Sequence, residues 1–226
     1  MKLKSFYISL ILITLLPSLI NANTLSLIGK RYFNISYGLS HTKEKDTSIS
    51  LARLSMNIPI TNKLDLGFGS FHAWLNEPES QSAISEHTTY SFFTNLKYHF
   101  LPNAIINPCA ILEIGQVIDQ IKTNPVQVNS TTESSGLIVS NKYKFNDHLT
   151  AINYYYQVAL GEEFKLNEKT SFSMFFSLGS LDNSEYQHFS ANIGHWILRD
   201  LFLDFQYKTH INRSINEFHL VSYVRF

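Results

Sequence analysis

A single cysteine, Cys109, stands in 226 residues, so no internal disulfide can staple the chain, and its side chain is expected to serve as a small residue on a strand. Charge of one sign is also missing, because 18 Lys and Arg balance 18 Asp and Glu. Without a basic stripe no nucleic-acid partner is expected. After the first two dozen residues there is no run of eighteen apolar side chains, which excludes a transmembrane helix there. Zinc-ligand spacings, phosphate loops and nucleotide fingerprints are absent too, so neither a metal nor a cofactor is expected. Glycine is scarce at nine residues, while Phe, Tyr and Trp make up 14% of the chain. That balance favours strands.

The opening stretch, MKLKSFYISLILITLLPSLINA, sets Lys2 and Lys4 before an apolar run from Phe6 to about Leu19, with a small residue at Ala22. Basic, apolar and small-residue regions in that order predict a signal peptide over 1–22. A membrane anchor is the alternative, but Ser9, Pro17 and Ser18 interrupt the run. Ile20, at the third position before the cut, is less typical there than Ala. Removal would leave 23–226 with a formal charge of about minus two, since Lys2 and Lys4 depart and no acid does. A chain of that length predicts one domain.

The apolar residues keep a period of two. In YSFFTNLKYHF, Tyr90, Phe92, Thr94, Leu96, Tyr98 and Phe100 share one face and Ser91, Asn95, Lys97 and His99 the other, with Phe93 the exception. SFSMFFSL and LFLDFQYK repeat the alternation. The pattern predicts twelve strands: 31–40, 48–58, 64–75, 89–100, 108–120, 136–145, 149–157, 159–166, 170–179, 188–198, 201–209 and 216–226. The pair between Leu149 and Leu166 requires a turn near Gln157 to Gly161. Short connections at 59–63, 146–148, 167–169 and 199–200 contrast with longer polar ones at 41–47, 76–88, 122–135 and 180–187. A closed antiparallel meander with one rim on each side of a membrane has this arrangement.

A β-sandwich would also alternate, its apolar face being the core. Two features favour lipid. The polar face carries Arg53, Asp65, Lys97, Glu113, Lys142, Lys144, Asp204 and Arg225, while the apolar face is nearly free of charge, as a bilayer demands at about 2–4 kcal/mol per charge. Trp74, Tyr90, Tyr98, Phe100, Tyr143, Phe145, Tyr207 and Phe226 fall on the apolar face near strand ends, as interfacial girdles do. The final stretch, FHLVSYVRF, places Phe218, Leu220, Val224 and Phe226 with Ser222 on one face and His219, Val221, Tyr223 and Arg225 on the other. It resembles the last strand of bacterial outer-membrane β-barrel proteins. The resemblance implies an outer-membrane location, lipids as the surrounding partner, and Phe226 as part of the signal read by the barrel assembly machinery.

The fold class expected is therefore all-β, a closed antiparallel up-and-down transmembrane barrel of about twelve strands, with eight or ten as alternatives. The eight charges would line or fill its lumen. The function expected is that of a small porin-like channel or a structural surface protein, with solute or surface ligand unspecified. A hydrolase of lipids or peptides is the alternative class, for which His188 and Ser190 with Asp204 are the only suggestive set. The turn at Arg199 and Asp200 sets Asp204 about six to eight residues from His188, roughly 20 Å or more along the strands, so no catalysis is expected. Adhesion or receptor binding would fall to exterior loops such as 76–88, with Glu77, Glu79 and Glu86.

Overall fold

The computed structural model describes residues 27–42, 47–75, 84–123, 128–134, 137–143, 148–181, 184–211 and 215–226. The segment read as a signal peptide lies outside them, as do the acidic residues Glu77 and Glu79. Twelve strands follow in order: β1 (Tyr32–Thr42), β2 (Thr47–Pro59), β3 (Leu64–Leu75), β4 (Ile84–His99), β5 (Ile106–Thr123), β6 (Val128–Ser134), β7 (Leu137–Tyr143), β8 (His148–Lys165), β9 (Thr170–Leu181), β10 (Ser184–Trp196), β11 (Leu201–His210) and β12 (Ile215–Arg225). Ten of them form a closed barrel in which each strand pairs antiparallel with its neighbour, and β1 closes on β12 from Tyr32↔Arg225 to Thr42↔Ile215. Closure leaves no open edge, the condition lipid imposes on a sheet.

The alternation sorts the side chains cleanly. On β1 the exposed Ile35, Tyr37 and Leu39 point outward and Ser36 and Ser40 inward; on β8 Ile152, Tyr154, Tyr156, Val158 and Leu160 form an exposed apolar ladder. Large apolar residues left open to the surroundings in this number mark a lipid-facing belt and not a soluble surface. Aromatic contacts stand at both ends of the belt. His72 stacks on Tyr90 with ring centres 4.6 Å apart, and Tyr98 meets Phe100 edge-on at 5.0 Å. Tyr143 belongs to β7, and Phe145 lies outside the described residues.

Two expected strand positions are corrected. The two strands expected at 149–157 and 159–166 are one continuous strand, β8, and β7, the described part of 136–145, is not part of the barrel wall. β6 and β7 pair only with each other, so β5 pairs directly with β8, from Ile106↔Phe164 to Lys122↔His148. The wall count is ten, and both removals together keep it even. Gly161, at the end of the expected turn, occupies a regular strand position opposite Cys109 and Phe175. β8 pairs with β9 only from Tyr155↔Leu181 to Lys165↔Ser171, so its first seven residues rise beyond that neighbour on β5 alone.

Gly161 belongs to a wider pattern on the inward face. Gly69, Gly115, Gly161 and Gly179 lie directly opposite Phe93, Tyr155, Phe175 and Tyr186, and each ring folds over the glycine where a Cβ would stand. Rings laid on glycines fill a narrow lumen without pushing strands apart. The tightest packing gathers toward the end with the short turns, where Asp65, His99, Asn107, Cys109, Trp196, Phe202 and Val221 are all buried.

Candidate functional site

The strands bring the inward residues into a lumen whose charges are paired. Arg53 on β2 donates from Nη2 to Glu113 Oε2 on β5 at 3.2 Å and lies over the Phe93 ring at 4.0 Å. Glu113 also accepts from the Tyr155 hydroxyl at 2.9 Å. Asp65 Oδ2 accepts from Asn57 Nδ2 at 3.1 Å and meets His99 Nε2 at 3.3 Å. Lys97 on β4 forms an ion pair with Glu163 on β8. Asp204 accepts from Gln206 Nε2 at 2.8 Å and from the Tyr223 hydroxyl at 3.4 Å. Arg225 reaches Asp200 in the turn after β10, with Nε donating at 2.9 Å. Of the eight charges expected inside, Lys142 instead belongs to β7, off the barrel wall, and Lys144 lies outside the described residues.

Other lumen residues were not singled out by the sequence. Asn107 Nδ2 reaches His99 Nδ1 at 2.8 Å and donates to Glu163 Oε2 at 3.0 Å, which joins Asp65, His99, Asn107, Glu163 and Lys97 into one network. Near the loop end, Glu217 accepts from Nε2 of His210 at 2.9 Å and of His219 at 3.2 Å, and pairs with Lys208 at 3.2 Å. Parity would have found them: once 148–165 is one strand, Glu163 falls on the face of Tyr155 and Gln157, and Glu217 on the face of His219 and Arg225.

The described lumen holds two cavities. The larger, about 530 Å3, is lined toward the loop end by Tyr186, His188, Lys208, His210, Glu217 and His219. The smaller, about 120 Å3, lies by the turn residues Asn167, Glu168 and Lys169. Tyr32, Lys97, Phe175, Asn192 and Tyr223 line both and form the layer where they meet. Aromatic contacts brace that layer: Tyr32 meets Tyr223 at 5.3 Å, Tyr223 meets Phe202 at 5.6 Å, and Phe202 meets Trp196 at 5.2 Å. This layer, shared by the two cavities, is charged, hydrogen-bonded and ring-packed.

Two sets of side chains carry atoms of the kinds that bind metals or catalyse hydrolysis. His99, Cys109 and Glu163 hold ligand-type atoms within 4.8 Å of one another. Yet both His99 nitrogens already have partners, and Glu163 faces Lys97 and Asn107, so an arriving cation would have to displace an ammonium and break the network. His188, Ser190 and Asp204 do not assemble. Asp204 lies opposite Gly194 while His188 lies opposite His210, six residues along the same pair of strands. That separation is about 20 Å, too far for a carboxylate to orient the imidazole.

No family model matches the chain, and no curated protein matches it. Among solved structures, an outer membrane channel from Pseudomonas putida F1 is similar with a TM-score of 0.46 and 12% identity, over 93% of this chain and 99% of that one. The beta domain of the Bordetella autotransporter BrkA gives 0.44 and 10%, over 88% and 100%. Ail, the attachment invasion locus protein of Yersinia pestis, gives 0.42 and 11%, over 88% and 99%. At these values nothing about activity or ligands passes from those proteins to this one.

Proposed function

We propose that the protein is an integral barrel of a bacterial outer membrane that works from its loop end, as a surface barrel holding a blind polar cup, and that it is not a constantly open porin. The observation that carries this reading is the layer shared by the two cavities, Lys97 paired with Glu163 and flanked by Tyr32, Phe175, Asn192 and Tyr223, which we read as a partition. Barrels of this size fall between those filled by side chains and those with an aqueous channel. The apolar outer belt supports lipid as the surrounding partner. Phe226 points outward and is 67% exposed, which leaves its ring available to the assembly machinery during insertion.

Conductance in planar bilayers tests the reading. The purified barrel is expected to insert without a steady open level; a stable conductance in the unmodified protein would overturn it. One observation favours a second reading, a gated channel: Lys97 and Tyr223 line both cavities, so their withdrawal would widen the passage between them. In that case Lys97→Ala with Tyr223→Ala would raise conductance from the closed level.

A further inference from the structure

We infer that His188 and His210 form a binding site for one divalent transition-metal ion of borderline softness, such as Cu2+ or Zn2+, in the loop-end half of the lumen. The two residues are direct cross-strand partners on β10 and β11, and both line the larger cavity. Their ring centres are 5.5 Å apart with planes inclined at 48°. Two imidazoles on one tetrahedral ion, each nitrogen about 2.1 Å from the metal, hold their centres about 5 Å apart, so the observed spacing fits a shared ion.

The hydrogen bonding singles out the ligand atoms. Nδ1 of His188 and Nδ1 of His210 are buried and have no hydrogen-bond partner among the described residues. His188 itself is only 5% exposed, so an unpaired ring nitrogen there is costly unless something occupies it. The second nitrogen of His210 is committed: Nε2 lies 2.9 Å from Glu217 Oε1. A neutral imidazole that donates from Nε2 to a carboxylate presents its lone pair at Nδ1. That carboxylate–histidine arrangement fixes the tautomer and raises ligand basicity at metal sites. The positive charge nearest the set, Lys208, is paired with the same Glu217 at 3.2 Å. His188 is steadied by Tyr186, whose ring lies nearly parallel at 7° and 6.1 Å away. Two protein nitrogens are fewer than the ion needs, and the larger cavity that both residues line would supply water for the remaining positions. Imidazole donors suit both Cu2+ and Zn2+, and Cu2+ stands highest in the divalent affinity series.

The test uses the full barrel without a histidine tag, refolded in detergent, titrated with Cu2+ under electron paramagnetic resonance and with Zn2+ by calorimetry. One ion per chain with nitrogen coupling is expected. His188→Ala and His210→Ala should each weaken binding by more than tenfold, and Glu217→Gln by about tenfold through the lost orientation of His210. His188→Gln and His210→Gln keep most of the side-chain volume, and heat-modifiable migration on gels verifies that each variant is folded. Cys109→Ser should leave binding unchanged. Binding that survives loss of both histidines, or that disappears with Cys109→Ser, would overturn the assignment and move the ion to the turn end; no binding to the folded parent would also overturn it.

Discussion

Lys97 on β4 and Glu163 on β8 form an ion pair across β5, the strand between them, and so tie three walls of the barrel together above the buried Cys109. Their side chains are 20% and 21% exposed, so the pair is only partly screened by water. Glu163 also meets His99 at 3.5 Å, which makes the pair part of a network and not an isolated contact.

Removing one partner leaves the other charge stranded. Lys97→Ala is expected to destabilise the barrel by about 2 kcal/mol, below the range for a fully buried pair because of the residual exposure. Replacing both, Lys97→Met with Glu163→Leu, should recover most of the loss, because an apolar pair of similar volume needs no solvation. Urea unfolding from lipid vesicles measures both. Equal stability of the single and double variants would show that the pair holds nothing together.

The glycine and aromatic pairs give a packing prediction. At Gly161 a Cβ would run into the backbone carbonyl of Met174 and the ring of Phe175. Gly161→Ala is therefore expected to cost about 1–3 kcal/mol by overpacking, against a few tenths for an alanine placed where space is open. Gly29, with φ of 66° and no atom within 4 Å of an added Cβ, separates the two causes, because its cost would be backbone strain alone. Thermal unfolding of Gly161→Ala with and without Phe175→Leu checks the mechanism. The smaller ring partner should relieve part of the loss.

The outer face is tested by charge. Leu160 on β8 is 57% exposed and lies within the apolar ladder that runs from Ile152. Leu160→Arg should cost about 2–4 kcal/mol in a bilayer if that ladder faces the hydrocarbon, while Ile211→Arg, just beyond the end of β11, should cost about 1 kcal/mol or less. Folding yield and urea midpoint in vesicles read the difference. Equal costs at the two positions would remove the lipid assignment of this face.

The period-two alternation made the outer belt legible, because lipid requires an apolar side chain at every second position and punishes exceptions. Arg53, Asp65, Lys97, Glu113 and Asp204, which alternate with that belt, line the two cavities. Pairing was not. The segment 136–145 alternates as a wall strand would, yet β7 pairs with β6, since alternation reports two faces and says nothing of which strand lies alongside. Gly161 misled for a related reason. Glycine signals turns because it tolerates unusual backbone, whereas here a ring from the next strand requires the missing Cβ. The cluster around Glu217 was hidden because a carboxylate with two histidines from different strands becomes visible only when register is known.

Register therefore supplies the sharpest test of the wall count. Ile114 and Tyr156 are direct partners across β5 and β8, and both are exposed on the outer face. Opposed residues of an antiparallel pair have Cα atoms about 4.5–5.5 Å apart, within the range a disulfide spans. In a Cys109→Ser background, Ile114→Cys with Tyr156→Cys is expected to crosslink on mild oxidation, and the product should migrate as an intact folded barrel. Ile114→Cys with Tyr143→Cys, both on the apolar face, should not crosslink, because β7 is paired with β6 and is not part of the closed barrel. The opposite result is what twelve wall strands would give, with 136–145 inserted beside β5. Only the ten-strand closure places the two longest strands side by side, and it is this pairing that carries the wall past β9 at the loop end.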